Sequence, residues 1–338
     1  PVSQIEETLI SDLKECINLL PKSWPCTDLA RATSGAAATL LGKIYLRNHD
    51  YANAKTYIDM VLNSGQYDLE DDFKYVWSEQ NKYGKEMIFA LLHETGSNAA
   101  EIACHFGPSD NPDVPGRWQY YGVSLPFWRT YSKKDPRREF FYYDYIGDAK
   151  ADDQVNHGFH YMVPEEGQTE VPDSYTKFMQ NVATKKYTWE MASDAYYDGR
   201  TICIFRLADV ILCKAEIENN IAGGSPEKAL PYLNRIRHRA GAPEYGGSDP
   251  EFPAPTTKEA MNDAILKERG WELVFEFQRR ADLIRFGKYE EIVNNHLGKL
   301  GISKPTTVTS DLRYFPYPQN DAQLNVNMAN ENPSRLPK

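Results

Sequence analysis

No stretch of the sequence stays apolar for the roughly 18 residues that a membrane-spanning helix needs. The opening Pro1-Val2-Ser3 has neither the charged start nor the apolar run of a secretory signal. We therefore expect the chain as given to be soluble and to be a fragment without its natural amino terminus. Cysteine is scarce and odd in number: Cys16, Cys26, Cys104, Cys203 and Cys213 make no Cys-x-x-Cys and no zinc-type Cys/His spacing. Most read as small buried hydrophobes, with a Cys16–Cys26 disulfide as the alternative. Positive charge falls short, 38 Lys and Arg against 48 Asp and Glu, and the formal net charge of -10 would repel a phosphate backbone. Nucleic acid is excluded as a partner on that ground. Also missing are GxGxxG, GxxxxGK[ST] and GxSxG, which removes the common nucleotide and serine-hydrolase signatures.

What is present is enough to fold. Hydrophobic residues are 41% and charged residues 25% of 338, the balance of a soluble globular chain with one large domain or two smaller ones. Ile5, Leu9, Leu13, Ile17 and Leu20 draw one stripe on a first helix, ended by Pro21 and Pro25. From Ser34 to Gly65 the pattern is a helical hairpin, turning at Arg47-Asn48-His49-Asp50. Gly42 and Ala54 permit close helix contact, with Leu41, Tyr45, Ile58 and Val61 around them, and these offsets match a tetratricopeptide repeat or a generic hairpin. A second hairpin reads from residues 201–219 across Gly223-Gly224-Ser225-Pro226 to Ala240, and residues 257–287 make a long helix or a broken pair. Residues 67–200 lack steady periodicity, with a short strand predicted from Phe140 to Tyr145. The expected class is mainly α: a tetratricopeptide-like helix-pair superhelix over 1–66 and 201–338, carrying a long irregular, aromatic-rich excursion with short strands. We read 1–338 as a single domain.

Glu268, Glu272 and Glu276 stand four apart, with Arg269, Arg279, Arg280 and Arg285 close in sequence. A glycosidase needs two carboxylates facing each other across a cleft, so one helix face reads instead as a structural Glu–Arg network. His157 and His160 have no third ligand, and the Asp68, Glu70, Asp71, Asp72 turn lacks the alternation of a calcium loop. No metal and no cofactor are expected.

The strongest functional feature is aromatic. Tyr (22) and Trp (6) together outnumber Phe (14), so most large rings have both a flat face and a polar edge. They concentrate at Arg117-Trp118-Gln119-Tyr120-Tyr121, followed by Trp128 and preceded by Asn111. Sugar rings stack their C–H faces on such rings while Asn, Gln and Arg take the hydroxyls. The competing reading is that Trp118 and Tyr121 plug the excursion onto the helices. Trp189, Tyr196 and Tyr197 form a second, poorer patch.

Four blocks carry a family resemblance. The first runs from Arg31-Ala32-Thr33 through Tyr51-Ala52-Asn53-Ala54-Lys55 to Ser64-Gly65-Gln66-Tyr67-Asp68-Leu69, and the second is Tyr131-Ser132-Lys133-Lys134-Asp135-Pro136-Arg137. The third joins Arg206-Leu207-Ala208-Asp209-Val210 to Leu233-Asn234-Arg235-Ile236-Arg237-His238-Arg239-Ala240-Gly241. The fourth, the most specific, is Glu268-Arg269-Gly270-Trp271-Glu272-Leu273-Val274-Phe275-Glu276, continuing to Asp282-Leu283-Ile284-Arg285-Phe286-Gly287. In these the sequence resembles the SusD/RagB family of outer-membrane nutrient-binding lipoproteins, departing at the tail, where Ser334-Arg335 replaces the family's Gly-Tyr-like end.

The resemblance implies a non-enzymatic protein on the bacterial outer membrane, facing outward and held by an amino-terminal lipid that lies outside this chain. It implies capture of oligosaccharide or polysaccharide and delivery to a SusC-like TonB-dependent transporter. Trp118, Tyr120 and Tyr121 would then be stacking platforms, Asn111, Arg117 and Gln119 their polar partners, and Trp128 a further lining residue. Capture of peptides or protein fragments, or a protein–protein scaffold, stands beside this reading.

Overall fold

The computed structural model describes residues 2–25, 28, 31–96, 102–108, 111–112, 114, 118–147, 158–188, 199–299, 318 and 324. They belong to two compact units, residues 1–276 and residues 277–338. In the first unit, α1 (Val2–Leu19) leans on α2 (Ser34–Arg47), and α2 and α3 (Tyr51–Leu62) form the expected hairpin. Thr33 caps α2 by accepting from the Ala36 N–H at 3.2 Å, and Asp50 caps α3 by accepting from Asn53 at 3.1 Å. His49 makes the turn between them in the left-handed region, φ 57°. A β-carbon at Gly42 would sit 3.0 Å from Ile58, so the absent side chain sets how closely the two helices approach. The α1 stripe is only partly covered: Ile5 and Leu9 are exposed, while Leu13 and Ile17 are half-buried.

The irregular region contributes short elements: β1 (Met87–Leu91), α4 (Ile102–Phe106), β2 (Val123–Ser124), α5 (Leu125–Trp128), β3 (Phe141–Tyr142), β4 (Asp144–Ile146), β5 (His160–Met162), β6 (Thr176–Phe178) and β7 (Asn181–Thr184). The strand expected over 140–145 is thus two strands in different sheets. One sheet runs β2-β7-β3, all antiparallel; another runs β4-β5-β6, with β5 and β6 parallel.

The second hairpin needs one correction. Residues 201–206, read as the start of a helix, hold β8 (Ile202–Arg206), antiparallel to β1 with Met87 opposite Arg206 and Leu91 opposite Ile202. Short apolar runs fit both periodicities, and the Ile-Cys-Ile-Phe sequence suits a strand. From Leu207 the helical reading holds: α6 (Leu207–Asn220) is buried on nearly every face, and α7 (Pro226–Ala240) opens on Pro226 and closes at Gly241 in the left-handed region, φ 68°. Next comes α8 (Lys258–Glu272), capped by Thr257, which packs on α6 and α7, while α3 packs on α6 to join the hairpins. The second unit contains α9 (Arg279–Arg285) and α10 (Tyr289–Lys299). The 257–287 block is therefore a broken pair. Cys104, Cys203 and Cys213 are buried free thiols as expected, and Cys16 is also free, while Cys26 lies outside the described residues. Among the described residues no helix is long and apolar enough to cross a membrane.

The core of the first unit contains a lattice of ions. Glu272 accepts from Arg137 at 2.9 Å, from Arg206 at 2.7 Å and from Arg239. Glu268 pairs with Arg137 at 2.6 Å and Arg237 at 2.8 Å, and Glu276 with Arg206 at 2.7 Å and Lys186 at 2.6 Å. Glu86 bridges Arg206 at 2.6 Å and Arg239 at 2.7 Å, and Asp135 holds Arg137 at 2.7 Å. The structural Glu–Arg reading is met, and the partners seen for these glutamates include Arg137, Arg206, Arg237 and Arg239, with Lys186, all remote in sequence. Alongside, buried Asp209 joins Arg269 at 2.7 Å to Lys43.

Although burial opposes ionisation, the surrounding cations hold the Glu272 and Asp209 carboxyls well below their ordinary range. Burial pushes Lys186 down to about 8 against the pull of Glu276. Carboxyls depressed in the folded state stabilise it above their unfolded values, 4.5 and 3.8 here, and that stability is lost as pH falls below them. We predict that the chain unfolds on acidification starting near those values. Glu272→Gln should cost about 3–5 kcal/mol at neutral pH, because it leaves buried arginines uncompensated; denaturant titration at pH 7 and pH 4 measures both effects.

Candidate functional site

The aromatic segment lies across the short helix α4. The Trp118 N–H donates to Cys104 O at 2.7 Å and the Tyr121 N–H to His105 O at 3.1 Å, so residues 118–121 are laid along the carbonyls of that helix. Gln119 bends the segment with φ 50°, and its amide donates to Asn181 Oδ1 at 3.3 Å. Gly122 lets the chain pass Asn181: a β-carbon there would stand 2.4 Å from Asn181 Oδ1.

The result is a small shelf of rings. His105 lies 5.0 Å from Trp118, edge to face, and 5.3 Å from Tyr120, with Trp118 and Tyr120 5.5 Å apart. Tyr121 packs 5.3 Å from Phe106, which is itself 4.8 Å from Tyr187 and 4.9 Å from Phe275. Below the shelf, therefore, is the apolar cluster of Phe73, Trp77, Phe106, Phe140 and Tyr187. Above it, Tyr120 is 65% and Tyr121 55% exposed. Rings so large and so exposed, yet fixed by their backbone bonds, present flat faces at low ordering cost.

Of the residues singled out in the sequence, Trp118, Gln119, Tyr120 and Tyr121 come together here. Two do not. Trp128 is 3% exposed, clamped under the Arg138 guanidinium at 4.0 Å with Tyr143 at 5.4 Å, and cannot offer a face to a ligand. Asn111 is 2% exposed and its carbonyl accepts from Val114 in a tight turn. Trp128 packs in the core and Asn111 is closed off from solvent, so their closeness in sequence to the shelf misled. Arg117, Trp189, Tyr196, Tyr197 and His157 lie outside the described residues. His160 is in β5, bonded to Asp144 at 2.7 Å. The sequence reading missed His105 and Asn181, which stand 13 and 62 positions away from Trp118 and Gln119. Among the described residues no group of three His, Cys, Asp or Glu is placed to hold a metal ion.

Surface and core rings should respond differently to truncation. We predict that Trp128→Ala loses about 3–5 kcal/mol of stability, whereas Tyr120→Ala stays within about 0.5 kcal/mol of the parent; paired denaturant titrations check this.

The SusD family model matches residues 76–334. SusD-like protein P25 of Formosa agariphila is 26% identical over 86% of this chain and 56% of its own length, and SusD-like protein P2 of the same organism is 26% identical over 98% of this chain and 65% of its own. The chain thus spans somewhat more than half of these relatives. Among solved structures, surface glycan-binding protein A from Bacteroides thetaiotaomicron in complex with laminarihexaose superposes with a TM-score of 0.71 at 22% identity, covering 97% of this chain and 69% of that one.

Proposed function

We propose that this chain, which belongs to the SusD family, binds oligosaccharide or polysaccharide without chemically altering it. The ring shelf on α4, with Tyr120 and Tyr121 exposed and Trp118 half-buried beside them, is the observation that carries this reading. A flat sugar face matches a flat ring, while Gln119 and Asn181 beside the rings supply polar groups for hydroxyls. The laminarihexaose complex of a protein with the same fold supports a glucan-like ligand. In the same reading the protein is outward-facing on the outer membrane, is held there by a lipid on a preceding segment, and passes its ligand to a SusC-like TonB-dependent transporter.

Ring stacking adds about 0.5–1.5 kcal/mol per pair beyond area burial, so two or three platforms give weak capture that suits hand-off. The expected result is that Trp118→Ala and Tyr121→Ala each weaken binding to a responsive glycan roughly two- to tenfold, with melting unchanged. Titration calorimetry against a panel of plant, host and microbial polysaccharides is the test. Binding that survives the double variant would remove the shelf as the site, and silence across the panel would move the reading to peptide capture.

A further inference from the structure

A second groove lies in the first unit, outside the shelf. It is bordered by the segment after α1, by the amino-terminal end of α2, and by residues 82–92 leading into and along β1. Besides Phe89, three rings with a polar edge line it. Trp24 is fixed by its indole N–H, which donates to Ala32 O at 2.8 Å. The Tyr67 hydroxyl bonds to Thr33 Oγ1 at 3.1 Å, and its ring covers Gly35 so closely that a β-carbon there would meet the hydroxyl at 2.4 Å. Tyr83 is 52% exposed. Two of the three are therefore held in place before any ligand arrives, and the third is a ring with an open face.

The charge of the groove runs against that of the chain. Among the described residues its lining includes Lys22, Lys82 and Lys85 and no carboxylate, on a protein of net charge -10. Lys82 is steadied by His93 O at 3.1 Å and by Glu79 at 3.4 Å. Lys85 has one long contact, 3.5 Å, to the fully exposed carboxylate of Asp71, and Lys22 is exposed. The long, exposed Lys85–Asp71 pair contributes little, so an incoming anion can take the Lys85 and Lys22 ammonium groups at small cost, while Lys82 adds a fixed positive charge to the lining. Cations at the rim of fixed rings make a site that stacks a sugar and neutralises its negative charge.

We propose that this groove is a separate carbohydrate site whose ligand is an acidic oligosaccharide, with Trp24, Tyr67 and Tyr83 as the stacking faces and Lys22, Lys82 and Lys85 as the anion partners. Carboxylate and sulfate esters share the chemistry that these lysines recognise. The site does not depend on the shelf: loss of the shelf reading leaves it standing, and the reverse is also true.

The test titrates the chain with three hexasaccharides: a uronate oligomer, a sulfated oligomer and neutral laminarihexaose. One or both acidic oligomers are expected to bind, the pair identifying the anionic group, with affinity falling at least roughly tenfold between 50 and 500 mM salt. Tyr83→Ala and the double variant Lys22→Ala/Lys85→Ala should each weaken that binding by roughly tenfold, and Trp118→Ala/Tyr121→Ala should leave it unchanged. All substituted groups are exposed or half-exposed, so melting curves should stay at the parent value. The proposal is overturned if neither acidic oligomer binds, if binding ignores salt, or if it is lost in the shelf variant and kept in Tyr83→Ala.

Discussion

Everything in the first unit is arranged around the carboxylates of Glu268, Glu272 and Glu276. Taking an ion out of water costs several kcal/mol even after the protein relaxes, so each of these groups must be met by a cation or the fold is lost. The cations come from four distant parts of the sequence: Arg137, Lys186, Arg206 on β8, and Arg237 and Arg239 on α7. Glu86 and Asp135 complete the set, giving five carboxylates against five cations. Such a lattice contributes less to net stability than its contacts suggest, since an apolar core of equal volume would avoid the desolvation cost. Its effect is on registry: a shift of α8 along α7, or of β8 along β1, leaves a charge buried and alone.

The ring shelf inherits its position from this lattice. The irregular region returns to the helical frame at Glu86, at Asp135 with Arg137, and at Lys186, and each of these is an ionic anchor. Next to the last of them, the Tyr187 hydroxyl donates to Phe275 O at 2.9 Å and the Tyr187 ring packs on Phe106. Phe106 in turn supports Tyr121. A chain of short contacts thus links the Glu276 carboxylate to the exposed rings, so that a loop-rich region presents a surface fixed by buried electrostatics.

How much of this could be read beforehand differs by the range of the interaction. The hairpins α2–α3 and α6–α7 were legible because helix period, caps and small residues such as Gly42 and Ala54 are local signals. The start of α6 was misplaced by several residues because Ile202 to Phe205 fits either period, and only pairing with β1 decides it. The three glutamates were legible as structural from their spacing and the arginines around them, but nothing local points to Arg137, Arg206, Arg237 and Arg239. Phe275 and Phe277 are both in the left-handed region, and partners of Glu272 arrive from up to 135 positions away. The same limit applies at the site. Trp118 and Tyr121 stood out by composition, but nothing local distinguishes exposed Tyr120 from buried Trp128, or brings His105 and Asn181 to the rings.

The ionic lattice also bears on chemistry. A glycosidase acid must keep its proton near neutral pH, which environments achieve by burial without a nearby cation. Glu272 is buried, but three arginines surround it, and the balance drives its carboxyl down rather than up. Glu268 and Glu276 are likewise buried, each between two cations. The carboxylates that a motif search would pick first are thus committed to holding the fold. What the shelf offers a sugar is ring faces and amide groups, chemistry suited to holding a glycan intact.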